Sequence, residues 1–316
     1  MLDSLGLTHF EYAFNTHPHN DHLGSMVELA KAYSFDRFIT GFDETFHEKT
    51  AIQRSTVKAL KEMGMEIVRM GDGDVFTLGD ARLTVIQQLK VSGANKQSMM
   101  LMVEFGDCRM LLGADVTGQA QDVIASTHDD LRADVLKFPH HGLNKLTAKF
   151  LEAVNPSYAV FTHGSLDTSA SQQQMDKIGA FYSFATWGTI HLATDGQEWH
   201  VEQPMDEEKA AYAEYYWKRK NAGHRAMPCS MPAGDDLRRA VLYRRAGGRG
   251  THTPMRPATA DERRFHRPQG CSCVSRTAHA KRAAPPPRRS RPLYLLWLDY
   301  TLKFTDLSPW SFLPNS

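Results

Sequence analysis

The chain is poor in cysteine, in long apolar runs and in overall charge. Its 316 residues include four cysteines, Cys108, Cys229, Cys271 and Cys273. Only Cys108 lies where apolar residues recur regularly, so no disulfide framework is expected. Cys271-Ser272-Cys273 has neither the spacing nor the partner pair of a zinc knuckle. No run of about 20 apolar residues is present to span a bilayer. The apolar stretch Pro292–Phe304 is too short for that and is interrupted by charge. No apolar segment follows Met1, where Asp3 stands in a mixed stretch, so no signal peptide is visible and the cytoplasm is the expected compartment.

The formal net charge of +1 conceals two regions of opposite sign. Residues 221–316 hold 17 Lys and Arg against 6 Asp and Glu, whereas residues 1–220 hold 20 against 30. Eleven of the 15 prolines also follow residue 220. Three parts are therefore expected: residues 1–204 as a folded domain, 205–220 as a helix with Glu207 and Glu208 early and Lys218 to Lys220 late, and 221–316 as a basic, Pro- and Arg-rich tail without order. Few stacking aromatics interleave with the tail's basic residues, so a nucleic-acid-binding arm is the lesser expectation. The acidic first part does not read as a non-specific DNA binder.

Through residue 203 the periodicity alternates. Strands are expected at Phe10–Asn15, Arg37–Gly41, Met65–Met70, Val75–Leu78, Ala81–Gln87, Gln97–Phe105, Cys108–Leu112, Asp134–Phe138 and Tyr158–Thr162. Helices are expected at Leu23–Tyr33, Lys49–Met63, Thr117–Ser126, Thr147–Val154 and Ser171–Phe181, before terminal strands reaching about residue 202. Such mixing fits a layered α/β domain.

Thr16-His17-Pro18-His19-Asn20-Asp21-His22 places four potential metal ligands within six residues. His17 and His19 are two apart, so at a strand end their imidazoles share a side. Asp21 and His22 follow where helical periodicity begins. Imidazole and carboxylate suit zinc, manganese or iron, and two pairs on one loop suggest two ions.

This segment resembles the H-x-H-x-D-H signature of the metallo-β-lactamase-fold hydrolases. Arg109–Asp115 is similar to the family's strand ending in Gly-Asp, with Ala114 intervening here. Asp134-Val135-Leu136-Lys137-Phe138-Pro139-His140-His141-Gly142 resembles the DVLKxPHHG stretch of the ComEC-type branch, the DNA-uptake competence hydrolases and their free-standing relatives. Asn95 to Ser98 matches that branch where other branches place a histidine, and Gly6–Tyr12 resembles its lead-in. The similarity runs from about residue 3 to 203.

The resemblance implies an αββα sandwich, here missing its N-terminal strands, and a metal-dependent hydrolase using a metal-activated hydroxide. Two divalent cations are implied, zinc first and manganese second. His17, His19 and His140 would hold one and Asp21 and His22 the other, with Asp115 bridging and His163 as a fourth ligand of the second position. No histidine stands near Thr168–Ser171, where the family carries its late one. One of the aspartates, Asp21 or Asp115, would orient the water by accepting its proton. His141 would either replace His140 as ligand or act as acid to the leaving group, and Asp115 could also cap the following helix. A phosphodiester substrate is implied, DNA or a phosphorylcholine-type ester. Two alternatives are a degraded, inactive member and an acyl hydrolase of lactamase or thioesterase type.

Overall fold

The computed structural model describes residues 6–42, 50–162, 170–185 and 188–203, with short strands at 239–242, 293–297, 300–305 and 308–314. The chain opens with strand β1 (His9–Asn15), the one-turn helix α1 (Asn20–Leu23), α2 (Met26–Ala32), β2 (Ser34–Thr40), α3 (Thr50–Glu62) and β3 (Glu66–Arg69). The strands β1, β2 and β3 lie parallel, with Ala13 opposite Phe38 and Phe14 opposite Ile39. Successive residues on a strand face opposite ways. Ala13 and Phe38 accordingly join an apolar cluster with Met26, Val57 and Leu60 of α2 and α3, whereas Phe14 and Ile39 turn toward the second sheet.

The second sheet begins as an antiparallel meander of β4 (Val75–Leu78), β5 (Ala81–Ile86), β6 (Met100–Phe105) and β7 (Cys108–Leu112). It continues in parallel through β8 (Val135–Lys137), β9 (Tyr158–Phe161) and β10 (Phe181–Phe184). The crossovers carry α4 (Gln119–Thr127), α5 (Ala148–Val154) and α6 (Ala170–Ile178). Ile124, Phe150, Val154 and Met175 pack these helices on the sheet's outer face. The layers run helices, sheet, sheet, helices, the expected αββα order. All three residues of β8 are buried, as suits a central parallel strand covered on both faces.

Local details differ from expectation. The first expected helix is two, because the chain breaks at Gly24 and Ser25. The helix expected at Ser171–Phe181 ends at Ile178, and Phe181 begins β10 instead. Asp115 does not cap α4, whose N-cap is Gly118. Strands β11 (His191–Thr194) and β12 (Trp199–Glu202) form a small antiparallel sheet with β13 (Arg239–Leu242).

The expected helix at 205–220 lies outside the described residues. In the basic region the structure describes short strands only, so the expectation for that region as a whole lies outside the described residues. Strand β14 (Leu293–Trp297) pairs in parallel with β1, and β15 (Tyr300–Thr305) and β16 (Ser308–Pro314) follow antiparallel. Strand β14 supplies partners to backbone groups that β1 would otherwise leave open on that side. No helix among the described residues is long and apolar enough to cross a membrane.

Candidate metal centre

Both sheets deliver their loops to one end of the sandwich. From β1 come His17, His19, Asp21 and His22; from β7 comes Asp115; from β8 come His140 and His141. Asp115 is the hub. His22 Nε2 stands 3.3 Å from its Oδ2 and His17 Nε2 3.7 Å. His140 Nε2 lies 3.9 Å from Oδ2, and His141 Nε2 3.8 Å from Oδ1. Two ligand-type sets each have their donor atoms within 4.8 Å of one another: His17, His22 and Asp115, and Asp21, His22 and His141.

The outer ring nitrogens are backed by polar side chains. Thr16 Oγ1 shares hydrogen bonds with His17 Nδ1 at 2.9 Å and His22 Nδ1 at 3.3 Å. One hydroxyl oxygen can accept both N–H groups, which directs each Nε2 lone pair at the centre. His141 Nδ1 is paired with Thr162 Oγ1 at 2.9 Å, and His140 Nδ1 with Asn144 Oδ1. Asn95 Nδ2 lies 3.3 Å from His140 Nε2. Ser98 Oγ accepts the N–H of Asp115 at 3.2 Å and donates to Asn95 O at 2.7 Å.

Three consecutive residues turn left-handed after β8: His140 at φ 49°, His141 at 58° and Gly142 at 95°. Positive φ is costly for residues with a Cβ, and such strain gathers at functional sites. Ala114, next to Asp115, also sits at φ 44°. At Gly142 a Cβ would fall 2.3 Å from Phe161 Cδ1, so glycine is required there by packing as well.

The electrostatics favour a charged Asp115. Burial alone would push its carboxyl up; a hydrogen bond with His22 and the positive charges of Lys137, His22 and His17 hold it well below the usual carboxylate range. His17 and His22 are buried, whereas Asp21 is exposed and His140 and His141 stand at the mouth.

Of the residues singled out by sequence, His17, Asp21, His22, Asp115, His140 and His141 converge. His19 stacks edge-on against His17, with ring centroids 4.6 Å apart, but falls in neither donor set. His163 lies outside the described residues. Thr16 and Lys137 stand inside the motifs but, like Asn144 and Thr162, receive no role from the sequence alone. Lys137 alone carried a visible signal, a charge inside an otherwise apolar strand.

The sequence profile of the Metallo-beta-lactamase superfamily matches residues 3–163. ComE operon protein 3 of Bacillus subtilis (strain 168) is 26% identical over 168 residues, which cover 52% of this chain and 21% of that protein. Among solved structures, CmlA, a diiron beta-hydroxylase from Streptomyces venezuelae, aligns with a TM-score of 0.37 at 12% identity, covering 54% of this chain and 43% of its own. The metallo-beta-lactamase fold protein YhfI from Bacillus subtilis aligns with a TM-score of 0.36 at 8% identity over 55% of this chain and 74% of its own. The profile spans half the chain and takes in the residues of the centre, so this chain belongs to the metallo-beta-lactamase superfamily, as a relative of its ComEC-type branch.

Proposed function

We propose that the centre holds two divalent cations, zinc before manganese, and that the protein hydrolyses phosphodiesters. The convergence of four histidine Nε2 atoms on one buried carboxylate carries this reading. The donor set fits a cation. Asp115 Oδ1 and Asn95 Oδ1 are buried acceptor oxygens without a hydrogen-bond partner among the described residues, and a cation satisfies such atoms. His17 and His19 would serve one position, with Asn95 or His140 completing it. Asp21, His22 and His141 would serve the other, and Asp115 would bridge. The role first given to His163 passes to His141 in this assignment.

Cations held there would lower the pKa of a water and offset negative charge developing on a phosphoryl oxygen. The chain's own groups do the rest. Asp21, with its carboxylate exposed beside His22, accepts a proton from the attacking water and orients it. Thr16 and Thr162 fix the rings of His17, His22 and His141. Asn95 and Asn144 hold the ring of His140 at the mouth.

Similarity to the ComEC-type branch supports a phosphodiester, DNA among the choices. The deciding assay uses bis-p-nitrophenyl phosphate and the full chain. Hydrolysis should require added zinc or manganese, stop with chelator and vanish in Asp115→Ala. Turnover surviving both treatments would place the chemistry elsewhere. A β-lactam or thioester cleaved much faster than any phosphodiester would overturn the substrate class.

A further inference from the structure

The roles above leave one buried charge unused. Lys137, the last residue of β8, is fully buried at the middle of the second sheet. A lysine seldom enters an interior unless its amine meets carbonyl or carboxylate oxygen. The Nζ of Lys137 lies 3.5 Å from the carbonyl oxygen of Ala114. That same carbonyl accepts the backbone N–H of His140 at 2.8 Å.

Ala114 is the residue that needs holding. Its left-handed conformation is unfavourable for alanine, yet it sets the direction in which Asp115 leaves β7. The turn is gripped on both sides: its carbonyl by Lys137 and His140, and its following N–H by Ser98 Oγ. The strand ends also lie in contact. A Cβ on Gly113 would meet Pro139 Cγ at 2.6 Å and Lys137 O at 2.8 Å. The two loops that bring Asp115 and His140 are thereby built as one unit, with Lys137 beneath it.

We propose that Lys137 is a positioning residue of the metal centre, its buried amine clamping the Ala114 carbonyl so that Asp115 is held between the two ligand sets. The inference rests on the metal-binding reading for its purpose, though not for its test. Lys137 cannot touch substrate, since it has no exposed surface. A purely structural lysine would affect stability alone, whereas a clamp sets the geometry around a bound ion.

The experiment compares the full chain with Lys137→Met, which keeps the stem and removes the amine. Zinc affinity is read by competition with a chromophoric chelator, and geometry by the visible spectrum of the cobalt-substituted protein. Affinity should fall about 10–100-fold, as when an outer hydrogen bond to a ligand is lost, and the cobalt bands should shift. Unchanged affinity with an unchanged spectrum overturns the proposal. So does tighter binding, which would show that Lys137 acts on the cation only by repelling it.

A second measurement is independent of metal. In chelator, the thermal midpoints of Lys137→Met, Asp115→Asn and the double variant form a cycle. The proposal requires the double variant to lose less than the two single losses together; additive losses overturn it. If the unaltered protein binds no zinc, the metal-binding reading fails while this cycle still decides the role of Lys137. Lys137→Gln, which keeps a donor without the charge, takes the place of Lys137→Met in both measurements if the latter does not fold.

Discussion

His22 Nε2 lies 3.3 Å from Asp115 Oδ2, joining the loop after β1 of the first sheet to the loop after β7 of the second. Both residues are buried, and His22 belongs to both donor sets. Substituting either should strip the centre. We expect His22→Ala and Asp115→Ala to lose bound zinc by more than the roughly 10–100-fold that removal of an outer hydrogen bond costs. Metal analysis after dialysis checks this, and zinc content equal to that of the unaltered protein would refute the assignment.

The two adjacent histidines are expected to separate. His141 shares a donor set with Asp21 and His22, whereas His140 Nε2 faces Asn95 as well as Asp115. His141→Ala should therefore lower zinc content by about one equivalent, on the tetrahedral logic that removing one of few ligands empties a position. His140→Ala should lower it less. The reverse order would exchange their roles.

Gly142 should tolerate no side chain. Its φ of 95° and the 2.3 Å approach to Phe161 mean that Gly142→Ala must move either the backbone or a ring stacked on Phe138. A cost of about 2 kcal/mol or more is expected from strain and overpacking together. Denaturant unfolding measures it, and zinc content should drop too, because His140 and His141 lie on the displaced turn.

Alkaline stability should report on Tyr158. Burial pushes its phenol well above the ordinary value, and the hydrogen bond with Ser183 offsets that only in part. The folded state then retains a proton that the unfolded chain releases near pH 10. With the folded value raised, this contribution is full below about pH 10 and is lost as pH rises beyond it. The unfolding midpoint of the unaltered protein should fall more steeply above pH 10 than that of Tyr158→Phe. Equal slopes would show that Tyr158 does not stay neutral in the folded state.

Much of the centre was legible because it depends on short spacings. His17 to His22 declare themselves within six residues, and the order of motifs places Asp115 and the two later histidines. The division of labour between His140 and His141 was not legible, since it depends on two left-handed residues that no spacing encodes. Nor was the support from Thr16, Asn144 and Thr162, which are ordinary residues in sequence and become informative only when folded against imidazoles. The helix after the metal loop was read as one because its apolar period continues across Gly24 and Ser25, where the backbone does not. The strand β14 was hidden by its surroundings: its apolar residues follow a basic, proline-rich stretch, and pairing with β1 is a contact across nearly the whole chain.

Asp115 and His22 are separated by nearly half the length of the domain, and among the described residues the sole cysteine is Cys108. A cation gripping both would act as a removable rivet between the sheets. Its contribution depends on supply: about 2.7 kcal/mol when free metal exceeds the dissociation constant a hundredfold, and almost none under scarcity. The fraction of molecules open to proteases follows the same balance. The lifetime of this protein in a cell would then track the metal available to it, with abundance falling in starved cells before any catalytic defect is felt.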